Sequence, residues 1–204
     1  TEAVDSLRLE GEVHFKNVRQ LTFGGDNAEA YFSFDGTMLS FQSKNKAWGT
    51  DCDQIYYMPI TGFTGETAPM VSTGKGRTTC AYFMPGDKSI IYASTHEGDE
   101  NCPPEPAPRE DKKYVWPIYP DFDIYVSDLD GKVIAKLTET PGYDAEATLN
   151  PAGDLIVFTS MRTGDLELYT MNIDGSNVNQ VTSELGYDGG AFFTPDGEKL
   201  IFRS

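Results

Sequence analysis

Five carboxylates stand just before or early in short apolar segments: Asp26 and Glu29, Asp144 and Glu146, and Asp188. Gathered around one axis, they could hold Ca²⁺, which takes six to eight oxygen ligands, or neutralise a basic peptide. The competing use is local, because aspartates in loops commonly accept hydrogen bonds from turn N–H groups. No Asp-x-Asp-x-Asp-Gly calcium loop is present. Cys52, Cys80 and Cys102 offer a disulfide with one thiol left over. Zinc is the weaker use, since there is no Cys-x-x-Cys and only His96 lies near them. Cys80, on a strand, reads as a small buried apolar residue.

Residues 95–121 form the second feature, a long segment with prolines at 103, 104, 106, 108, 117 and 120, and with Tyr114, Trp116 and Tyr119. Proline stiffens such a loop, and aromatics are the side chains that most often anchor interfaces. The segment reads either as a partner-binding arm or as a lid whose tryptophan tucks into its own domain. Trp48 and Arg77, in neighbouring loops, are further candidates for partner contact. Hydrolytic and nucleotide motifs are absent: there is no Gly-x-Ser-x-Gly, no His-Glu-x-x-His and no phosphate-cradling glycine loop. Gly74-Lys75-Gly76-Arg77 is too short and opens no helix, and His14 and His96 lie in unrelated segments. A Ser-His-Asp arrangement is therefore not expected.

The charge balance narrows the partners. Sixteen basic against 32 acidic residues give a net charge of −16, which repels phosphate backbones and argues against nucleic acid. No run approaches the roughly 18 apolar residues of a membrane span. Aromatic residues make up 12% of the chain, and the 20 glycines and 12 prolines are spread along it. That pattern suits strands punctuated by turns.

What must position these residues is an internal repeat. Segments 28–43, 78–94, 145–160 and 189–204 superpose, each a short strand, a tight turn and a second strand ending in Ser43, Ser94, Ser160 or Ser204. The turns are Phe34-Asp35-Gly36, Pro85-Gly86-Asp87, Pro151-Ala152-Gly153 and Pro195-Asp196-Gly197. Proline pre-sets φ at the first turn position and glycine takes the left-handed one. Leu39, Ile90, Ile156 and Leu200 alternate with Phe41, Tyr92, Phe158 and Phe202 on one face of the second strand, a period of two. Third strands follow at 54–58, 123–127 and 167–171, and the last two run into Asp130-Gly131 and Asp174-Gly175. Fourth strands end in Val71-Ser72-Thr73, Lys136-Leu137-Thr138 and Gln180-Val181-Thr182. A four-stranded antiparallel unit repeating at 44 residues, Ser160 to Ser204, is one propeller blade.

The repeat resembles that of TolB-type proteins, a WD-like propeller family. The resemblance rests on Asn150-Pro151-Ala152-Gly153, Thr194-Pro195-Asp196-Gly197, the Leu-Tyr-Thr-Met-Asn-Ile-Asp-Gly run at 168–175 and the closing Gln180-Val181-Thr182. It covers residues 17–204, with Phe34 in place of the turn proline in blade 1 and an insertion in blade 2. The expected fold is an all-β propeller of four-stranded antiparallel blades, about three and a half of them in one domain over 1–204. Blade 1 spans 28–73, blade 2 spans 78–138 with the insertion 95–121, blade 3 spans 145–182, and 189–204 is the first half of blade 4. Residues 17–22 match the fourth strands and read as the closing strand of a ring. The resemblance implies six blades, a periplasmic or exported location and a place in an envelope complex.

Blade geometry puts the connections between blades, and those between second and third strands, on one face, here called the top. Binding residues favour loops held by a rigid scaffold. The expectation is a non-catalytic scaffold taking a protein or peptide on this face, through Trp116, Tyr114, Tyr119, Trp48 and Arg77, with the five carboxylates at the channel entrance. Cys52 and Cys102 lie in equivalent loops of neighbouring blades and are expected to approach each other there. The alternative is a hydrolase using a channel metal, or the gating propeller of a serine peptidase whose catalytic part lies elsewhere.

Overall fold

Each repeat is opened by a tight turn whose glycine does what no other residue does cheaply. Gly36, Gly86, Gly153 and Gly197 have φ of 69°, 85°, 74° and 74°, in the left-handed region that L side chains avoid. The computed structural model describes residues 7–107, 109–113 and 116–204; Tyr114, one of the candidate anchors, lies outside the described residues.

In chain order the strands are β1 (Asp26–Phe32), β2 (Met38–Lys44), β3 (Gln54–Pro59), β4 (Thr78–Phe83), β5 (Ser89–Ser94), β6 (Asp121–Asp128) and β7 (Val133–Lys136). They continue as β8 (Gly142–Leu149), β9 (Leu155–Ser160), β10 (Glu167–Asn172), β11 (Asn179–Gln180), β12 (Gly189–Phe193) and β13 (Leu200–Arg203). All pairings within a blade are antiparallel. Blades 2 and 3 have four strands each, β4–β7 and β8–β11, and β12–β13 form a hairpin. Blade 1 has three strands, its fourth reduced to a bridge between Tyr56 and Met70. The helical element among the described residues is a single 3₁₀ turn, Lys46–Trp48, in blade 1 rather than in the insertion.

The alternation in the second strands has a direct cause: a blade is sandwiched between two others. On β9, Ile156 and Phe158 pack towards blade 2, while Val157 packs with Leu168 and Ala191 towards blade 4. On β5, Ile90 and Tyr92 face blade 1 and Ile91 faces blade 3. Both faces of an inner blade are thus buried, so apolar residues occupy consecutive positions there.

The hydroxyl that closes each fourth strand also has a structural role. Ser72, Thr138 and Thr182 accept hydrogen bonds from the N–H groups of Ile55, Ile124 and Leu168, each at 2.9 Å. The preceding residues, Val71, Leu137 and Val181, donate their own N–H to the carbonyls of the same three residues, each at 2.8 Å. The side chain thereby satisfies a buried donor where the short fourth strand has run out. Replacing Thr138 by the near-isosteric valine leaves the Ile124 N–H without this acceptor. It is expected to lower the unfolding free energy by about 1–3 kcal/mol in urea denaturation, with an unchanged value counting against this role.

Residues 17–22 adopt the conformation of a fourth strand without its pairing. Asn17 and Asn177 are both left-handed, at φ 59° and 55°. Gln20 and Gln180 each donate their side-chain amide to the carbonyl of the threonine two residues on, at 2.7 and 2.8 Å. Residues 17–22 form no strand; Leu21 instead packs against the apolar cluster of blade 1 that holds Leu39, Phe41, Tyr56, Met58 and Ala68.

Candidate functional site

Every first strand carries a break in register at the same place. The ladder slips between Ala28 and Tyr31, Thr79 and Tyr82, Ala145 and Thr148, and Gly189 and Phe192. At each slip one residue turns left-handed: Glu29 (φ 51°), Cys80 (49°), Glu146 (59°) and Gly190 (60°). These are β-bulges, which leave one residue unpaired and re-aim its side chain. Glu29, Cys80 and Glu146 line a cavity of about 380 Å³ at the top of the molecule, with Arg77, Trp116 and Tyr119 among its other walls.

Glu146 is the most firmly held of the lining carboxylates. It accepts hydrogen bonds from Thr159 Oγ1 at 2.7 Å, from the Tyr187 hydroxyl at 2.9 and 3.0 Å, and from the Gly190 N–H at 2.8 Å. It therefore clasps blade 3 to blade 4 through the N–H that the bulge has freed. A Cβ on Gly189 would lie 2.6 Å from a Glu146 oxygen and closer still to the Tyr187 hydroxyl, so this clasp needs glycine there. In the interface of blades 1 and 2 Gln42 does the same service, its side-chain oxygen accepting from the Cys80 N–H at 3.3 Å and the Thr79 hydroxyl at 3.1 Å. Glu29 accepts from the Tyr31 hydroxyl.

Burial and the two glutamates set the titration of their neighbours. Burial first, then Glu146 and Glu29, push the Cys80 thiol well above its ordinary range. It stays protonated at neutral pH and is a poor nucleophile. Burial raises the hydroxyls of Tyr31, Tyr143 and Tyr187 too, again with the lining glutamates adding to it. Asp53 is pushed up by burial, against the opposing pull of Arg77 and Lys44.

The insertion is fastened over this cavity at several points. Cys52 and Cys102 form a disulfide, with Cα atoms 5.6 Å apart, that ties it to blade 1. Glu105 pairs with Lys44 at 2.7 Å and with Arg77 at 3.3 Å. Arg77 also faces Asp53 at 3.7 Å and lies 5.5 Å from the centre of the Tyr119 ring. Tyr119 donates its hydroxyl to the Pro104 carbonyl at 3.2 Å. Trp116 stands edge-on to Tyr187 at 5.4 Å and remains 44% exposed.

The acidic set divides. Glu29 and Glu146 line the cavity, and Asp26, Asp144 and Asp188 do not. Asp144 is buried and takes two hydrogen bonds from Arg162 Nη2, at 3.1 and 3.2 Å. Asp188 is also buried, and Asp26 lies exposed opposite Lys44 in the β1–β2 ladder. The expected ring of five carboxylates is thus not formed, because two of its members are drawn into blade packing. Among the described residues no group of His, Cys, Asp and Glu could hold a metal ion. Trp48 also departs from expectation. The 3₁₀ turn, capped by Asn45 and ended by left-handed Gly49, folds its indole back onto Phe41, Tyr56 and Phe63 of blade 1.

His96 Nδ1 lies 2.9 Å from Ser94 Oγ, the one serine–histidine pair in direct contact among the described residues. Ser94 is fully buried, so no substrate reaches its hydroxyl, and burial lowers the His96 pKa.

Residues that sequence reasoning missed include Cys80 as a lining group, Gln42 and Arg203. The signal for the first was present: Glu29, Cys80, Glu146 and Gly190 share one column of the repeat, where a strand between blades should carry an apolar residue.

The comparisons with known proteins agree with this architecture. Residues 119–204 match the TolB beta propeller domain family. Among curated proteins no sequence matches significantly. A solved structure of a putative TolB from Agrobacterium tumefaciens is similar at 25% identity and a TM-score of 0.61, over 85% of this chain and 52% of that one. TolB from Acinetobacter baumannii is 20% identical with a TM-score of 0.62, over 87% of this chain and 37% of that one. Hydrazine synthase from Kuenenia stuttgartiensis, 15% identical with a TM-score of 0.58 over 86% of this chain and 29% of that one, shares the fold. The chain spans about half or less of the length of these relatives. Residues 119–204 belong to the TolB β-propeller domain family, and the chain as a whole has the β-propeller fold of the TolB structures it is similar to.

Proposed function

We propose that this chain is a non-catalytic scaffold of the cell envelope that takes a protein or peptide segment at the top mouth of its channel. The observation that carries this is the cavity of about 380 Å³ whose walls combine Glu29 and Glu146 with Trp116 and Tyr119 of the fastened insertion. Its volume lies in the range of ligand pockets, roughly 300–1,000 Å³. The half-exposed indole gives an anchor that loses little entropy on binding, because the insertion is already tied down. The carboxylates favour a segment with a basic residue, in keeping with the net charge of −16. The disulfide supports an oxidising compartment outside the cytosol.

The test is a random peptide library displayed on phage and panned against the protein. Selected peptides are expected to lose about 30-fold in affinity, roughly 2 kcal/mol, against Trp116→Ala. Against a Glu29→Gln, Glu146→Gln double variant they should chiefly associate more slowly and respond less to salt. Peptides that bind the tryptophan variant equally well would place recognition elsewhere.

A further inference from the structure

A second cavity, of about 470 Å³, lies at the opposite end of the first strands, among the turns of the bottom face. Its walls are aromatic. Tyr31 meets Tyr82 and Phe192 with ring centroids 5.8 and 5.5 Å apart, and Phe34 stands edge-on to Tyr82 at 6.4 Å. Pro151 and Pro195 contribute from the turns of blades 3 and 4. No charged side chain is among its described lining residues, on a chain of net charge −16. The top cavity, by contrast, has Glu29, Asp53, Arg77, Glu146 and Arg203 in its walls.

Phe34 is the residue that breaks the repeat. Pro85, Pro151 and Pro195 fill the same turn position in the other blades, where proline's fixed φ suits the turn. Phenylalanine gives that up and supplies a wall instead, at 42% exposure, beside Phe32 at 62%. Its backbone is secured in a way that proline could not match. The N–H groups of Phe34 and Asp35 both donate to the Asp87 carboxylate of blade 2, at 2.8 and 3.0 Å. Tyr31 is fixed from the other side, its hydroxyl engaged by Glu29. The Tyr82 hydroxyl has no hydrogen-bond partner among the described residues, and its pKa is raised by burial.

We infer that this bottom cavity binds a neutral, apolar small molecule carrying an aromatic ring and one polar group for the Tyr82 hydroxyl. The volume suits such a ligand. The uncharged walls give no partner to an ionised one, whose desolvation would go unrepaid. The fixed rings offer the edge-to-face and offset geometries that aromatic pairs prefer.

The experiment titrates the protein with N-phenyl-1-naphthylamine, a neutral aromatic amine that fluoresces in apolar surroundings. A saturable one-to-one rise is expected. Ala30→Trp, which fills the cavity from β1, should abolish it, and Phe34→Ala should weaken it about tenfold, with both folds checked by circular dichroism. Trp116→Ala, at the other mouth, should leave it unchanged. A rise that never saturates, or binding that is equally strong in the Phe34→Ala and Ala30→Trp proteins, would overturn the inference. If Ala30→Trp does not fold, Phe34→Ala alone decides.

Discussion

Replacing Cys52 and Cys102 together with serine is expected to lower the unfolding free energy by about 4 kcal/mol. The bridge closes a loop across a sequence separation of 50, and the chain-entropy relation for a loop of that size gives roughly this figure. The remaining fastenings of the insertion cannot make up the difference. Glu105 is exposed at 60% of its side chain where it meets Lys44 and Arg77, and exposed ion pairs contribute at most about 1 kcal/mol each. Urea denaturation of the two proteins measures the change directly. Trypsin gives a second readout, because Arg109, Lys112 and Lys113 lie in the insertion. Cleavage there should speed up in the serine variant while the blades resist. A loss of less than about 1 kcal/mol would show that the insertion is held by its other contacts.

Asp144→Ala should destabilise the protein by about 3–5 kcal/mol, the usual penalty for removing one partner of a buried ion pair. The Arg162 guanidinium lies over Phe158 and Tyr169, 5.1 and 4.8 Å from their ring centres. It is bound by both oxygens of a carboxylate that is 2% exposed. Without that carboxylate it remains a half-enclosed charge on an aromatic surface. The double variant Asp144→Ala, Arg162→Met should recover much of the loss, since methionine keeps the apolar stem and removes the orphaned charge. Thermal or urea unfolding of the two variants separates the cases. A double variant as weak as the single one would mean that Asp144 acts through its backbone neighbours rather than through the pair.

The blades could be read from the sequence because their signals are local. Turn prolines and glycines fix hairpins, and period-two alternation fixes strands, without reference to anything distant. The cleft was only half legible. Trp116, Tyr119 and Arg77 were identified by residue type, and the structure puts them in one wall with Glu29 and Glu146. What the sequence could not show was which carboxylates are spoken for. Asp144 and Glu146 are two residues apart, yet one is drawn into Arg162 and the other points into the channel, because a single left-handed residue lies at Glu146. Trp48 failed for a similar reason: a short 3₁₀ turn, weakly signalled by Asn45 and Gly49, reverses the direction of its ring. The bottom cavity was invisible because its walls come from separate blades, with Phe34 as the only local irregularity.

The four bulges leave the axis of the molecule open to revision. The swerve at each of these positions belongs to the backbone, which re-aims the side chain it carries towards the axis. The channel is therefore lettered one residue per blade: glutamate, cysteine, glutamate, and a blank at Gly190, beside which the guanidinium of Arg203 comes to rest. An exchange at Glu29 or Cys80 therefore changes what the axis attracts, whereas one at Glu146 also gives up the clasp between blades 3 and 4.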